Sequence, residues 1–475
     1  MLNPLPNKQL TGKAALLWAL GAIASFHLAY SFQPLSFAIL LFLFCLFQLR
    51  HLDCGRKAFY GGLAIGFAIY APHLSFFWSL FGAAAIALWL VLAFWLAMFL
   101  LFATRCTKRF GSLPAALLIP FLWMGLEYFR SELYYLRFSW MNVGFSFQGQ
   151  FMSLVGFLGV YGIGLLLAGV ASLATQMRLK RAVLMITITG IGIAILENTS
   201  IERGTTTDKH ATVAGVQLEF PEENAVVIAL NRLIADNPAA KLLILSEYTF
   251  QGVVPPVIRA WCKKNERYLV VGGKQPEGET YFNTAFVVGP TGEIEFTQEK
   301  SVPIQFFDDG LPAREQKLWD SPWGKIGICV CYDLSYRRVV DNLVRQGAQA
   351  IIVPTMDIVE WGERQHQLHA RVAPMRAAEF GIPLYRVCSS GISQFIAPNG
   401  SVLASAPFPG EEASLTGTID LDKPGRLPLD YWLAPFSVLI TLVTIPALFI
   451  ARLRSRKTER AIASPSKQNP TLTSK

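Results

Sequence analysis

The chain is short of charge. Of its 475 residues only 16% are Asp, Glu, Lys or Arg, against 52% that are hydrophobic. That balance excludes an ordinary soluble protein of this size and points to membrane spans. Paired cysteine spacing is missing as well: the seven cysteines form no CxxC, which leaves neither a disulfide framework nor a zinc site to organise the fold. Nor does the net charge of +9 collect into one nucleic-acid-binding segment, because the cations fall in short clusters between apolar runs.

Those runs lie near 13–30, 34–49, 58–79, 81–103, 112–129, 151–175 and 182–197, with an eighth near 431–451. A helix needs about 20 mostly apolar residues to cross roughly 30 Å of hydrocarbon, since lipid offers free backbone groups no partners. About seven spans are therefore expected within residues 1–200 and one more at 428–452, followed by a basic tail at 453–475. The cations give the direction, because short cytoplasmic loops retain Lys and Arg. Arg50, Arg56 and Lys57 follow the second run, Arg105, Lys108 and Arg109 the fourth, and Arg178, Lys180 and Arg181 the sixth. Arg452, Arg454, Arg456, Lys457 and Arg460 follow the eighth, whereas the short loops near 31–33 and 80 have no Lys or Arg. This alternation puts both termini in the cytoplasm and the segment between the seventh and eighth runs outside. The first run reads as a span rather than a cleaved signal, because six more follow it. The tail reads as an orientation anchor rather than a nucleic-acid site.

Between 208 and 424 charges return and β-branched stretches alternate with helical ones, the pattern of an α/β domain. Strands are expected at Ala211–Gln217, Lys241–Leu245, Tyr268–Gly272, Asn283–Val288, Ile326–Val330, Ala350–Val353 and Leu384–Val387. Helices are expected at Glu222–Asp236, Pro255–Lys264, Arg337–Gln346 and Arg364–Phe380. Gly289-Pro290-Thr291-Gly292 and Pro398-Asn399-Gly400 have turn chemistry, Pro setting φ and Gly tolerating positive φ. Two such hairpins with βα units between them suggest a two-sheet αββα sandwich flanked by helices.

Three residues at strand ends are suited to acyl transfer. Cys331 ends the run Gly327-Ile328-Cys329-Val330-Cys331, where a thiol is presented near backbone N–H groups that can hold an oxyanion. Position alone leaves it equally readable as a buried packing cysteine. Cys329, deeper in the run, is read as packing. Glu247 closes the strand Leu242-Leu243-Ile244-Leu245-Ser246-Glu247; a desolvated carboxylate there is suited to take a thiol proton, and a solvated surface carboxylate is the plain alternative. Lys300 follows the hairpin strand, where its ammonium suits a thiolate and an oxyanion, or else merely the surface. The ordered set Glu, Lys, Cys says more than each residue does alone.

That set resembles the nitrilase, or carbon–nitrogen hydrolase, superfamily over roughly 211–420. Glu247, Lys300 and Cys331 come in its chain order, with Tyr281-Phe282-Asn283-Thr284 between the first two. Trp361-Gly362, Gln365-His366, Met375-Arg376-Ala377-Ala378-Glu379 and Ser390-Gly391-Ile392-Ser393 also match. The helical half is similar to the apolipoprotein N-acyltransferase family at Trp123, Glu127-Tyr128-Phe129-Arg130-Ser131, Phe138-Ser139-Trp140 and Gly159-Val160-Tyr161-Gly162. The resemblance implies a bacterial inner-membrane enzyme without a cofactor. Cys331 would take an acyl chain from a membrane phospholipid as a thioester and pass it to the α-amino group of a lipoprotein's diacylglyceryl-cysteine. Glu247 would be the general base, Lys300 would stabilise the thiolate and oxyanion, and the catalytic domain would be periplasmic.

The chain departs from that family in reading Cys331-Tyr332-Asp333 where Cys-Tyr-Glu is usual, and Val302-Pro303-Ile304-Gln305-Phe306-Phe307-Asp308 where Val-Pro-Phe-Gly-Glu is usual. Asp308 is then expected as the second carboxylate, with Tyr332 and Asp333 in support. Water reaching the thioester would make the protein a membrane-tethered amidase instead, and an incidental triad would leave a binding module. Phe306–Leu311, Ile358–Gly362 and Tyr134–Phe147 are candidate lids or an interfacial aromatic belt. His366 and His369 share a helical face, but no third residue completes a metal site.

Overall fold

A computed structural model describes residues 10–147, 152–198, 209–410 and 412–463. The segment 199–208 before the catalytic domain and the end of the basic tail, 464–475, lie outside the described residues.

Each of the eight apolar runs is helical: Gly12–Ser31, Ala38–Gln48, Gly55–His73 with Phe76–Phe81, Ala84–Phe110, Ser112–Tyr128, Met152–Leu158 with Val160–Ala174, Leu179–Asn198 and Asp430–Ala463. Among the described residues four helical stretches are long and apolar enough to cross a membrane: Gly12–Ser31, Ala84–Phe110, Ser112–Leu133 and Asp430–Ala451. The pair Met152–Leu158 and Val160–Ala174 is bent by 99° and makes a fifth if it is one span. Ala38–Gln48 has 11 residues, about 16 Å of helix, and lies buried among its neighbours from Phe42 to Phe47. The bend falls at Gly159, whose φ of +80° suits glycine and where any Cβ would collide with the Asp430 carboxylate. Asp430 accepts from the N–H groups of Tyr161, at 2.9 Å, and Gly162, at 3.2 Å, so its charge sits at the start of the second half-helix. It also pairs with Arg337 of the catalytic domain. The last apolar helix therefore begins at an ion pair that docks the two regions together.

The catalytic domain is two six-stranded sheets. In chain order the first takes β1 (His210–Val216), β2 (Leu242–Ile244), β3 (Tyr268–Glu277), β4 (Thr280–Val288) and β5 (Ile294–Glu299). The second takes β6 (Leu318–Ser321), β7 (Gly324–Ile328), β8 (Ala350–Thr355), β9 (Leu384–Cys388), β10 (Ser393–Ile396) and β11 (Val402–Ala406). Then β12 (Ser414–Asp420) returns to the first sheet, antiparallel to β1. Each sheet has a parallel centre, β1-β2-β3 and β7-β8-β9, with antiparallel strands outside it. β2 is wholly apolar and buried, β8 and β9 are buried throughout, and β1, β3 and β7 are buried except toward one end, where polar residues emerge. β6 and β12 had no counterpart among the expected strands, and β10 and β11 were expected only as the arms of the Pro398-Asn399-Gly400 hairpin; all four are short, or alternate with exposed residues at an edge. The single helix expected at Arg364–Phe380 is two, Glu363–Ala370 and Val372–Phe380. Pro374 accounts for the break, since a proline ring clashes with the carbonyl four residues earlier, that of Ala370.

Candidate active site

The parallel strands aim their C-terminal ends at one edge, where chemistry is commonly placed in α/β sheets. Glu247 comes three residues beyond β2, Cys331 three beyond β7, and Lys300 directly after β5. Cys331 and Tyr248 both hold positive φ, +53° each, a conformation that costs a non-glycine residue energy and turns the chain sharply off its strand. Beside this turn β3 runs unusually close. A Cβ on Gly272 would lie 2.5 Å from the Glu247 Cα, so only glycine lets that strand support the carboxylate.

Lys300 is fully buried between two carboxylates. Its Nζ lies 2.8 Å from Glu247 Oε1 and 2.8 Å from Asp309 Oδ2. Asn283 Nδ2 joins the same pair, at 2.6 Å from Glu247 and 2.8 Å from Asp309. The other Glu247 oxygen accepts from the Met356 N–H at 2.7 Å, and the Cys331 Sγ lies 3.7 Å from the Met356 carbonyl. The Cys331 thiol is within reach of a hydrogen bond to Glu247. Sequence reading expected Asp308 here, and the structure corrects it: Asp308 is exposed, and only its carbonyl is engaged, by the Tyr281 hydroxyl at 2.7 Å. Asp309 turns inward because the Ile304 N–H and the Tyr248 hydroxyl donate to it at 2.7 and 2.8 Å. Adjacent carboxylates in one loop differ only in which way the loop faces them.

The two acids are tuned apart. Burial raises the pKa of Glu247 despite its contact with Lys300. For Asp309 burial acts in the same direction, but the Lys300 ammonium outweighs it and holds the carboxyl below its ordinary value. Asp309 is thus the standing counter-ion, and Glu247 is the carboxylate more ready to accept a proton. Lys300 is held well above its usual range: burial opposes its charge, and the two acids more than compensate. Burial and then the Glu247 charge push the Cys331 thiol well up, against Lys300. A thiol so held keeps its proton until a base removes it during attack.

Asp333 lies outside the charge cluster. Its carboxylate accepts from the N–H groups of Ser301 and Val302, at 3.0 and 2.7 Å, and of Val330 at 3.2 Å. It braces the chain after Lys300 against the turn before Cys331. Asp333→Ala would leave those three donors without this partner, at about 1–3 kcal/mol for each one buried. The variant is expected to melt at a lower temperature in detergent and to form acyl-enzyme more slowly; an unchanged melting point would remove Asp333 as the brace. Tyr332 lines the cavity beside Cys331, 5.8 Å from the Trp140 ring, and Cys329 is fully buried.

The cavity at Cys331 is apolar and walled by both regions. Phe76, Phe77, Phe81 and Leu88 come from the helical region, Phe138 and Trp140 from the loop after Leu133, and Phe306, Phe307 and Trp361 from the catalytic domain. With its open mouth it measures about 850 Å³. All three candidate lid segments contribute to it, and Phe307 packs 5.7 Å from Phe81 and 6.1 Å from Trp361. The loop after Leu133 also supports the nucleophile. Ser139 Oγ donates to the Ser335 carbonyl at 3.1 Å, and Trp140 Nε1 to Ser335 Oγ at 2.8 Å, at the end of the Cys331–Ser335 turn. Arg376, fully buried, donates to the carbonyls of Leu334 and Ser335 from the other side. Trp140 and Arg376 fall within the motifs singled out above, but a contact spanning 195 residues has no local signature. Among the described residues no three His, Cys, Asp or Glu side chains are placed to hold a metal ion.

Residues 15–173 match the profile of the apolipoprotein N-acyltransferase N-terminal domain, and 229–428 that of the carbon–nitrogen hydrolases. An apolipoprotein N-acyltransferase of Geobacter metallireducens is 25% identical over 438 residues, 78% of this chain and 84% of that protein. An omega-amidase of Xenopus laevis is 25% identical over 174 residues, only 32% of this chain and 61% of that protein. The crystal structure of a carbon–nitrogen hydrolase from Helicobacter pylori G27 is similar at 19% identity and a TM-score of 0.40, over 45% of this chain and 90% of that one. The helical half and the α/β half match in one chain and in this order, so the protein belongs to the apolipoprotein N-acyltransferase family, with an α/β domain of the nitrilase superfamily.

Proposed function

We propose that this inner-membrane enzyme moves a fatty acyl chain from a phospholipid, through a Cys331 thioester, to the α-amino group of diacylglyceryl-cysteine at a lipoprotein's N-terminus. In the first half-reaction Glu247 takes the thiol proton as sulfur attacks the ester carbonyl. It returns that proton to the departing lysophospholipid alkoxide, and Lys300 offsets the charge on sulfur and on the tetrahedral oxygen. In the second half-reaction the amine attacks the thioester and Cys331 regains its proton.

The observation that carries this reading is the apolar cavity beside Cys331, half of whose wall comes from the helical region. Burying an acyl chain there contributes about 0.8 kcal/mol per CH₂, a recognition that suits lipid and is of no use to a small amide. The alternating cation clusters support an orientation with both termini in the cytoplasm and the catalytic domain on the periplasmic side.

The test is to incubate the purified protein with acyl-labelled phospholipid and a diacylated lipopeptide. A triacylated product is expected, and Glu247→Gln is expected to form no labelled acyl-enzyme. Ammonia released from small amides without any triacylated product would replace transfer by hydrolysis, and undiminished labelling of the Gln variant would remove Glu247 as the base.

A further inference from the structure

The helix Glu363–Ala370 carries two histidines with different surroundings. His366 stacks on Phe408, with ring centroids 4.1 Å apart. His369, only 2% exposed, lines the cavity that holds Cys331. One face of its ring stacks on Trp140 at 4.8 Å and 18°. Its Nδ1 lies 2.9 and 3.1 Å from the two oxygens of Asp357 and 2.9 Å from Arg386 Nη2. Both oxygens of the Asp357 carboxylate, which can only accept, lie beside Nδ1, so the ring proton is assigned to Nδ1, while Arg386 directs its Nη2 donor to Asp357 at 2.5 Å. Burial holds the imidazolium pKa down to about 4, which leaves the ring neutral. The lone pair is then on Nε2, a buried atom with no protein hydrogen-bond partner.

Asp357 is also the residue after Met356, whose N–H binds Glu247 and whose carbonyl faces the Cys331 sulfur. The Asp357–His369 pair and the triad are therefore fixed to the same two-residue stretch. An unsatisfied buried acceptor costs about 1–3 kcal/mol unless a donor arrives to meet it. The triad already accounts for the chemistry of the thiol and of the ester donor. Among the groups that meet at the reacting carbonyl, the amine of the second half-reaction is the one that carries N–H.

We propose that His369, pinned by Asp357 and Trp140, accepts an N–H of the incoming amine at Nε2 and so orients it toward the thioester carbonyl. The inference rests on the transfer reading above. The amine lone pair forms the C–N bond as the carbonyl pair moves to oxygen. That pair then returns as the C–S bond breaks, with its electrons on sulfur. The proton shed by nitrogen passes to Glu247 and from there to sulfur, giving amide and free thiol with atoms and charge balanced. His369 holds the amine and keeps no proton.

Two substitutions separate this role from a structural one. Asn at 369 can keep a donor near the Nδ1 position, toward Asp357, but has nothing at Nε2; Gln can place its carbonyl oxygen near Nε2. Full-length protein in detergent micelles would be acylated with labelled phospholipid, then discharged either with a diacylated lipopeptide or with dithiothreitol, a thiol that brings no N–H. His369→Asn is expected to slow discharge to the lipopeptide about 10- to 100-fold beyond any change in acylation or in discharge to dithiothreitol, the size of one lost hydrogen bond in a transition state. His369→Gln is expected to recover much of that loss. Asn discharging to the lipopeptide like the native protein, Asn outperforming Gln, or acylation and both discharges falling by one common factor would each overturn the proposal. A native protein that never accumulates label would instead overturn the transfer reading, and this inference with it, before any variant is made.

Discussion

Cys331→Ala is expected to abolish acyl transfer, by about 10⁴-fold or more, while the protein still inserts and folds. The magnitude follows from the division of labour in the site. Glu247, Lys300, Asn283 and Asp309 form a hydrogen-bonded unit that does not need the sulfur, so removing Sγ leaves no buried charge unpaired. What disappears is the atom that bears the acyl group. Cys331→Ser keeps the shape of the turn but offers a hydroxyl that holds its proton far more strongly than a thiol, and it too is expected to be inactive. Labelled phospholipid followed by gel separation reads the acyl-enzyme directly. Label retained on the alanine variant, or full activity in the serine variant, would rule out the thioester.

Lys300→Met is expected to act on stability and activity together. It removes the cation from between Glu247 and Asp309, leaving two carboxylates that are 1% and 4% exposed and share only Asn283, Tyr248 and backbone donors. Breaking a buried pair by taking away one partner costs about 3–5 kcal/mol. Adding Asp309→Asn removes one of the stranded charges, so the double variant is expected to regain much of the thermal stability while remaining inactive, because the thiolate and the oxyanion still lack their ammonium. Differential scanning calorimetry in detergent distinguishes the two effects. A Lys300→Met protein with native melting and native transfer would show that the ammonium is not the centre of the cluster.

Much of this was legible in the linear chain. Cys331 and Glu247 stood out because each follows an apolar strand, and Lys300 because it follows a hairpin strand; strand ends in an α/β domain are read from a handful of neighbouring residues. The helical character of all eight apolar runs came the same way. Bond partners were not legible. Asp308 and Asp309 are equivalent as letters, and only the turn of their loop selects the second. His366 and His369 suggested a shared face; both rings do turn to Asp357, at 3.9 and 2.9 Å, but they stack on different aromatics, Phe408 and Trp140. The Trp140–Ser335 bond, which ties the helical region to the nucleophile turn, joins residues 195 apart.

Sequence alone settled where this chain is helical, where its buried strands run and which residue types stand at their ends, because hydrophobic periodicity and turn chemistry act over a few residues. The tertiary structure decided which carboxylate neutralises Lys300, which aromatics wall the cavity, and which histidine lines it beside Cys331. A buried charge or lone pair is stabilised by whatever atom lies within about 3 Å of it. In this protein such atoms come from segments 53 residues apart for Lys300 and Glu247 and 109 apart for Met356 and Glu247, distances over which only the packed fold carries information.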